Sequence, residues 1–72
     1  MDQNATKTET PQAPILVVGP DEAAKMTAHS RSGIYKAIAA GELQSFKSGK
    51  RRMILVRELE TWINRVAAEN GR

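Results

Sequence analysis

Nine side chains between positions 30 and 52 have the chemistry to hold a polyanion. They fall in two groups: Ser30, Arg31, Ser32, Tyr35 and Lys36, then Lys47, Lys50, Arg51 and Arg52. A guanidinium donates in a planar fork that fits a phosphate or the edge of a guanine, a lysine supplies a point charge, and hydroxyls donate to phosphate oxygens. The formal charge of the 72-residue chain is only +3, but its distribution is uneven. Residues 31–57 carry seven basic side chains against the single acid Glu42, a local net charge of +6, and the remaining residues together carry −3. Clustering of one sign is the electrostatic footprint of a polyanion site and says more than the total. An anionic membrane surface would attract the same charge. However, the sequence lacks an amphipathic insertion helix rich in Trp, Phe and Leu, and no run approaches the ~18 apolar residues of a membrane span.

Composition narrows the chemistry further. The chain has no Cys and one His, so disulfides, thiolate metal sites and His-based metal clusters are all excluded. There is no Gly-rich phosphate cradle, no carboxylate pair set around a nucleophile and too little chain for a pocket, so an enzyme is not expected, nor a cofactor. At this length about 60% of the unfolded surface is buried on folding, which allows one small domain. The N-terminus lacks the basic-then-apolar order of a signal peptide, and a reducing cytoplasmic setting is the expectation.

The first group of basic residues is organised by a helix. Ser30 is a suitable N-cap, and Gly41 is suited to the left-handed conformation that ends a helix. Between them Ile34, Ala37 and Ile38 fall on one face, spaced i, i+3, i+4. Arg31, Ser32, Tyr35, Lys36 and Ala39 occupy the opposite face, and no acidic side chain lies on this helix. It suits a surface that lies against negative charge, as a DNA-recognition helix does.

In chain order, residues 1–14 are rich in Thr, Gln, Asn and Pro, have no large apolar side chain after Met1, and read as a disordered tail. An arm entering a DNA groove would need more than the single Lys7. Ile15–Val18 is a β-branched lead-in, extended or a short strand. Gly19-Pro20-Asp21-Glu22 starts a helix of about two turns, with Pro at its first position and carboxylates complementing its dipole. This helix is expected to bury Ala23, Ala24, Met26 and Thr27. Ala28-His29 makes a tight turn into Ser30, giving a helix-turn-helix arrangement. After Gly41, residues 44–47 form a short strand with Phe46 as its apolar anchor, Ser48-Gly49-Lys50 turns, and Arg51–Leu55 returns. The result is a β-hairpin with a basic tip, a wing. Val56–Glu69 is an amphipathic helix with Leu59, Trp62, Ile63 and Val66 in one apolar stripe and Glu58, Glu60, Arg65 and Glu69 on the solvated side. Trp62 lies inside that stripe and reads as a core anchor rather than a base-stacking platform.

These segments, in this order, resemble the excisionase-type winged helix-turn-helix, which is related to the DNA-binding end of the MerR regulators. The resemblance rests on Glu22-Ala23-Ala24-Lys25-Met26, then Ser30-Arg31-Ser32 with Ile34-Tyr35-Lys36 and Ile38, then Gly41-Glu42-Leu43. It continues through Lys47-Ser48-Gly49-Lys50-Arg51-Arg52 and Leu59-Glu60-Thr61-Trp62-Ile63. It implies a mainly α fold with a small β-hairpin: residues 1–14 as a tail, 15–69 as the winged helix-turn-helix and 70–72 as the C-terminal end. Two positions depart from the family pattern. Ala28-His29 stands where Gly and an apolar residue are usual, and Gly33 stands where Thr is usual, a place where glycine would let a sugar-phosphate backbone approach.

The resemblance implies that the helix from Ser30 enters the major groove by its N-terminal half. Arg31 then clamps a phosphate or reads a guanine edge, with the phosphate the first reading. Ser30 and Ser32 suit phosphate oxygens at the helix N-terminus, Tyr35 offers its hydroxyl to a phosphate, and Lys36 contacts the backbone. Lys50 and Arg51 would reach the adjacent minor groove, with Lys47 and Arg52 facing phosphates. His29 reads as an exposed turn residue. The implied function is a recombination directionality factor that binds and bends double-stranded attachment-site DNA, in cooperating copies, to help a site-specific integrase excise a phage or mobile element. Two alternatives are a small MerR-like regulator acting at a promoter and a packaging or adaptor module using the fold for protein contacts. The second of these leaves the basic wing unexplained. The short chain, without room for a long dimerisation helix or effector domain, favours the excisionase reading.

Overall fold

The computed structural model describes residues 15–71; the tail assigned to residues 1–14 and the final residue lie outside the described part. Six elements follow in order: β1 (Val17–Val18), α1 (Pro20–Thr27), α2 (Arg31–Ala39), β2 (Phe46–Ser48), β3 (Arg51–Leu55) and α3 (Val56–Asn70).

Both short helices are bounded by the residues their caps require. Gly19 is the N-cap of α1 in an extended conformation, with Pro20 following and Asp21 and Glu22 in the first turn. Ser30 caps α2, its Oγ accepting from the Gly33 N–H at 3.0 Å. The C-terminal ends of the two helices close with the same pair of hydrogen bonds, that of a Schellman motif. In α2 the Gly41 N–H donates to Ile38 O (3.0 Å) and the Glu42 N–H to Ala37 O (2.9 Å), with Gly41 at φ 78°. In α1 the Ala28 N–H donates to Lys25 O (3.4 Å) and the His29 N–H to Ala24 O (2.9 Å), with Ala28 at φ 57°, ψ 37°. An alanine therefore occupies the left-handed position that glycine takes more easily, and this turn sets α2 against α1.

The wing is broader than a hairpin. β3 is central in a three-stranded antiparallel sheet of order β1-β3-β2. Val17 pairs with Leu55 and Val18 with Ile54; Phe46, Lys47 and Ser48 pair with Met53, Arg52 and Arg51. The two-residue loop Gly49-Lys50 puts Gly49 at φ 64° in the first central position, as a type II′ turn requires. Residues 15 and 16 remain outside the strand, although Leu16 O accepts from Val56 N at 2.9 Å.

The core consists of Val18, Ala23, Ala24, Ile34, Ala37, Leu43, Ile54, Leu59 and Trp62, with Ile38, Val56, Ile63 and Val66 packed against it. Ile34 and Ile54 are fully buried, one from the helix-turn-helix and one from the sheet, so the wing and the helices share one core. Ile34, Ala37 and Ile38 of α2 and the Leu59-Trp62-Ile63-Val66 stripe of α3 are the core-facing sets expected from periodicity.

Three expectations need correction. Met26 is exposed, because the inward face of α1 is centred on Ala23, Ala24 and Thr27 and Met26 lies about 100° from it around the helix. Phe46 is not the anchor of its strand and is also exposed. Since Ile54 faces inward, its neighbour Met53 faces outward, and Phe46 pairs with Met53 on that outer side. The anchor is Leu43, buried in the loop that the α2 C-cap turns inward. The strand also begins later than expected, at Phe46, and runs through Ser48, leaving only Gly49 and Lys50 as the turn.

Candidate nucleic-acid interface

α2 presents its polar face as the alternation of core and surface positions dictates. Arg31, Ser32, Tyr35, Lys36 and Ala39 line one open groove along it. A second groove joins that face to the wing and to the start of α1, lined by Gly19, Pro20, Asp21, Glu22, Arg31, Tyr35, Arg51 and Arg52. The two basic groups separated in sequence thus meet across the Arg31–Tyr35 edge of α2 and the Arg51–Arg52 end of β3.

At the start of α2, the Ser30 Oγ that accepts from the Gly33 N–H lies 3.2 Å from Ser32 Oγ, so the two hydroxyls form a pair at the helix N-terminus. The Arg31 guanidinium lies over the Tyr35 ring, its carbon 5.3 Å from the centroid, within cation–π range. Lys36 is exposed on the next turn.

In the wing, Lys47 and Arg52 are directly paired across the strands. Arg52 shares the side of β3 that carries Ile54, is half-buried, and donates from Nη1 to Ser45 Oγ at 3.1 Å. Two like charges directly opposite each other are unfavourable in the free protein, and a phosphate between them would relieve the repulsion. Arg51 opens the strand on the other side, and Lys50 occupies the tip next to Gly49. Lys47 and Lys50 do not line the groove that holds Arg51 and Arg52, so the wing offers a flank and a tip in addition to that groove.

Sequence reasoning missed one member of the site. Asp21, from the first turn of α1, forms an ion pair with Arg31 through Oδ1 and Nε, 2.7 Å apart. The residues are ten apart on different helices, and no periodicity reports such a contact; only the angle set by the Ala28-His29 turn brings them together. The side chains are 66% and 77% exposed. At that exposure the pair contributes about 0–1 kcal/mol to stability, so its consequence lies in where it holds the guanidinium.

Two other residues make contacts that the sequence did not indicate. A Cβ on Gly33 would lie 3.2 Å from Ser30 Oγ and 3.8 Å from His29 Cδ2. Glycine at this site makes room for the cap and the turn. His29 is exposed, as expected, yet its ring packs on Trp62 with centroids 4.9 Å apart and planes tilted by 57°. Its Nδ1 lies 2.8 Å from Thr27 O, and because a carbonyl only accepts, that nitrogen carries the proton.

Two capped helices joined by a tight turn, the second with an acid-free polar face beside a basic wing, define a helix-turn-helix DNA-binding protein. Comparison with protein families agrees. The helix-turn-helix domain family matches residues 17–67, from β1 into α3, and the chain belongs to that family. No curated protein and no solved structure matches it. Among the described residues no helix is long and apolar enough to cross a membrane.

Proposed function

We propose that the protein is an excisionase-type recombination directionality factor, which binds and bends double-stranded attachment-site DNA so that a site-specific integrase can excise a phage or mobile element. The single observation that carries the reading is the groove in which Arg31 and Tyr35 of α2 face Arg51 and Arg52 of β3. It makes recognition helix and wing one continuous surface, able to engage a major groove and the phosphates beside it together. On this reading the N-terminal half of α2 enters the major groove. Ser32 and the first-turn N–H groups meet a phosphate oxygen, Tyr35 and Lys36 meet the backbone, and the Lys50-Arg51 tip follows the strand into the neighbouring minor groove. Lys47 and Arg52 take phosphates on the wing flank.

The protein acts as a binding module without catalysis or cofactor, in the cytoplasm on nucleoid DNA, with neighbouring copies cooperating on the site. The resemblance of the segments from Glu22 to Ile63 to excisionases supports the integrase partnership. The test is an excision assay with the cognate integrase, with and without this protein. Stimulation of excision is the expected result. Absence of stimulation, with promoter binding retained, would assign the same surface to a small MerR-like regulator.

A further inference from the structure

Arg31 is held in a way that a phosphate clamp does not need. Its Nε is paired with Asp21 Oδ1 at 2.7 Å, while its guanidinium carbon sits 5.3 Å from the centre of the Tyr35 ring. A carboxylate at one edge of the guanidinium and an aromatic ring beneath it favour one orientation of its plane. With Nε engaged by Asp21, N–H donors remain on the terminal nitrogens of the guanidinium. Two parallel N–H donors on a plane held in that orientation match the paired O6 and N7 acceptors of guanine. The same carboxylate works against a phosphate. A backbone oxygen brought to Arg31 would come close to the charge of Asp21, with Glu22 next to it in the same groove, whereas an uncharged base edge meets no such repulsion. Among the described residues Arg31 is the one arginine of the basic cluster paired with an acid.

We infer that Asp21 is a specificity-determining positioning residue. It holds Arg31 as a bidentate reader of a guanine in the major groove and turns it away from the phosphates, leaving backbone contacts to Lys36 and the wing. This rests on the DNA-binding reading of α2 and adds to it that Arg31 reads a base and that Asp21 acts through Arg31.

The experiment is selection from a randomised duplex library by the full chain, followed by affinities for the selected site and for its single-base variants. The proteins compared are the wild type, Asp21→Asn, Arg31→Ala and the double variant. Asp21→Asn keeps the size of the side chain at a mostly exposed position, and its folding is checked by circular dichroism. The wild type is expected to select a guanine whose replacement weakens binding about tenfold, the scale of one bidentate base contact. Asp21→Asn should bind random duplex more tightly and lose most of that preference. The double variant should discriminate no worse than Arg31→Ala alone, since Asp21 works only through Arg31. An unchanged base preference in Asp21→Asn would overturn the inference, and so would a uniform loss of affinity on every sequence, which is what a merely structural role gives. A wild type that binds duplex without any guanine preference also overturns it and leaves the DNA-binding reading standing. A wild type that binds no duplex overturns both.

Discussion

The turn between α1 and α2 carries a strain that one substitution should release. Ala28 sits at φ 57°, ψ 37° so that its own N–H and that of His29 can close α1. A left-handed conformation costs an L-residue about 1–2 kcal/mol because Cβ crowds the following carbonyl. Glycine has no such cost, but its unfolded chain is freer by about 0.4–1 kcal/mol. The difference predicts that Ala28→Gly stabilises the domain by on the order of 0.5–1 kcal/mol. For a domain of this size that raises the melting temperature by several degrees, at about 4–8 °C per kcal/mol. The assay is thermal unfolding followed by circular dichroism, paired with DNA affinity. The methyl group of Ala28 is exposed, so affinity should be unchanged. An equal or lower melting temperature would refute the reasoning, because it would mean that the chain turns here without the left-handed residue. Ala28→Val gives the opposite sign: a β-branched residue at positive φ is a genuine outlier, and this variant should melt well below the wild type.

Two further outcomes follow from the sheet. Lys47 faces Arg52 across the strands, so Lys47→Glu should stabilise the free protein by a few tenths of a kcal/mol in denaturant titration. The same change should weaken DNA binding and lower the salt dependence of log K by about one unit; a gain in both stability and affinity would contradict the placement of Lys47 on a phosphate-facing flank. Ile54 is fully buried where wing and helices meet, and Ile54→Ala should cost about 2–5 kcal/mol. A core this small rarely supplies more than about 3–5 kcal/mol, so that variant should be largely unfolded by circular dichroism at 37 °C, and near-wild-type melting would contradict a shared core.

The helix ends and the long amphipathic helix were legible in the sequence, since caps and periodicity are local signals. Ser30 and Gly41 bound α2, Arg51–Leu55 is the return strand, and Leu59 and Trp62 face the core. What sequence alone does not carry is how elements meet. The pairing of Val17 and Val18 with β3 depends on a partner some forty residues away. The exposure of Met26 and Phe46 follows from helices and strands too short for their pattern to choose a face. The candidate site divides in the same way. Its nine basic and hydroxyl residues could be read from charge clustering, but Asp21 could not, because it joins Arg31 only through the angle between two helices.

The claim that helix and wing form one DNA surface is tested most directly by a salt titration of duplex binding. The wild type is compared with a variant in which Lys50, Arg51 and Arg52 are all replaced by Ala. Every phosphate that is no longer neutralised lowers the slope of log K against log salt by about 0.9, so the variant should bind more weakly with a slope reduced by up to about 2.7. Unchanged affinity and slope would remove the wing from the interface and contradict the account.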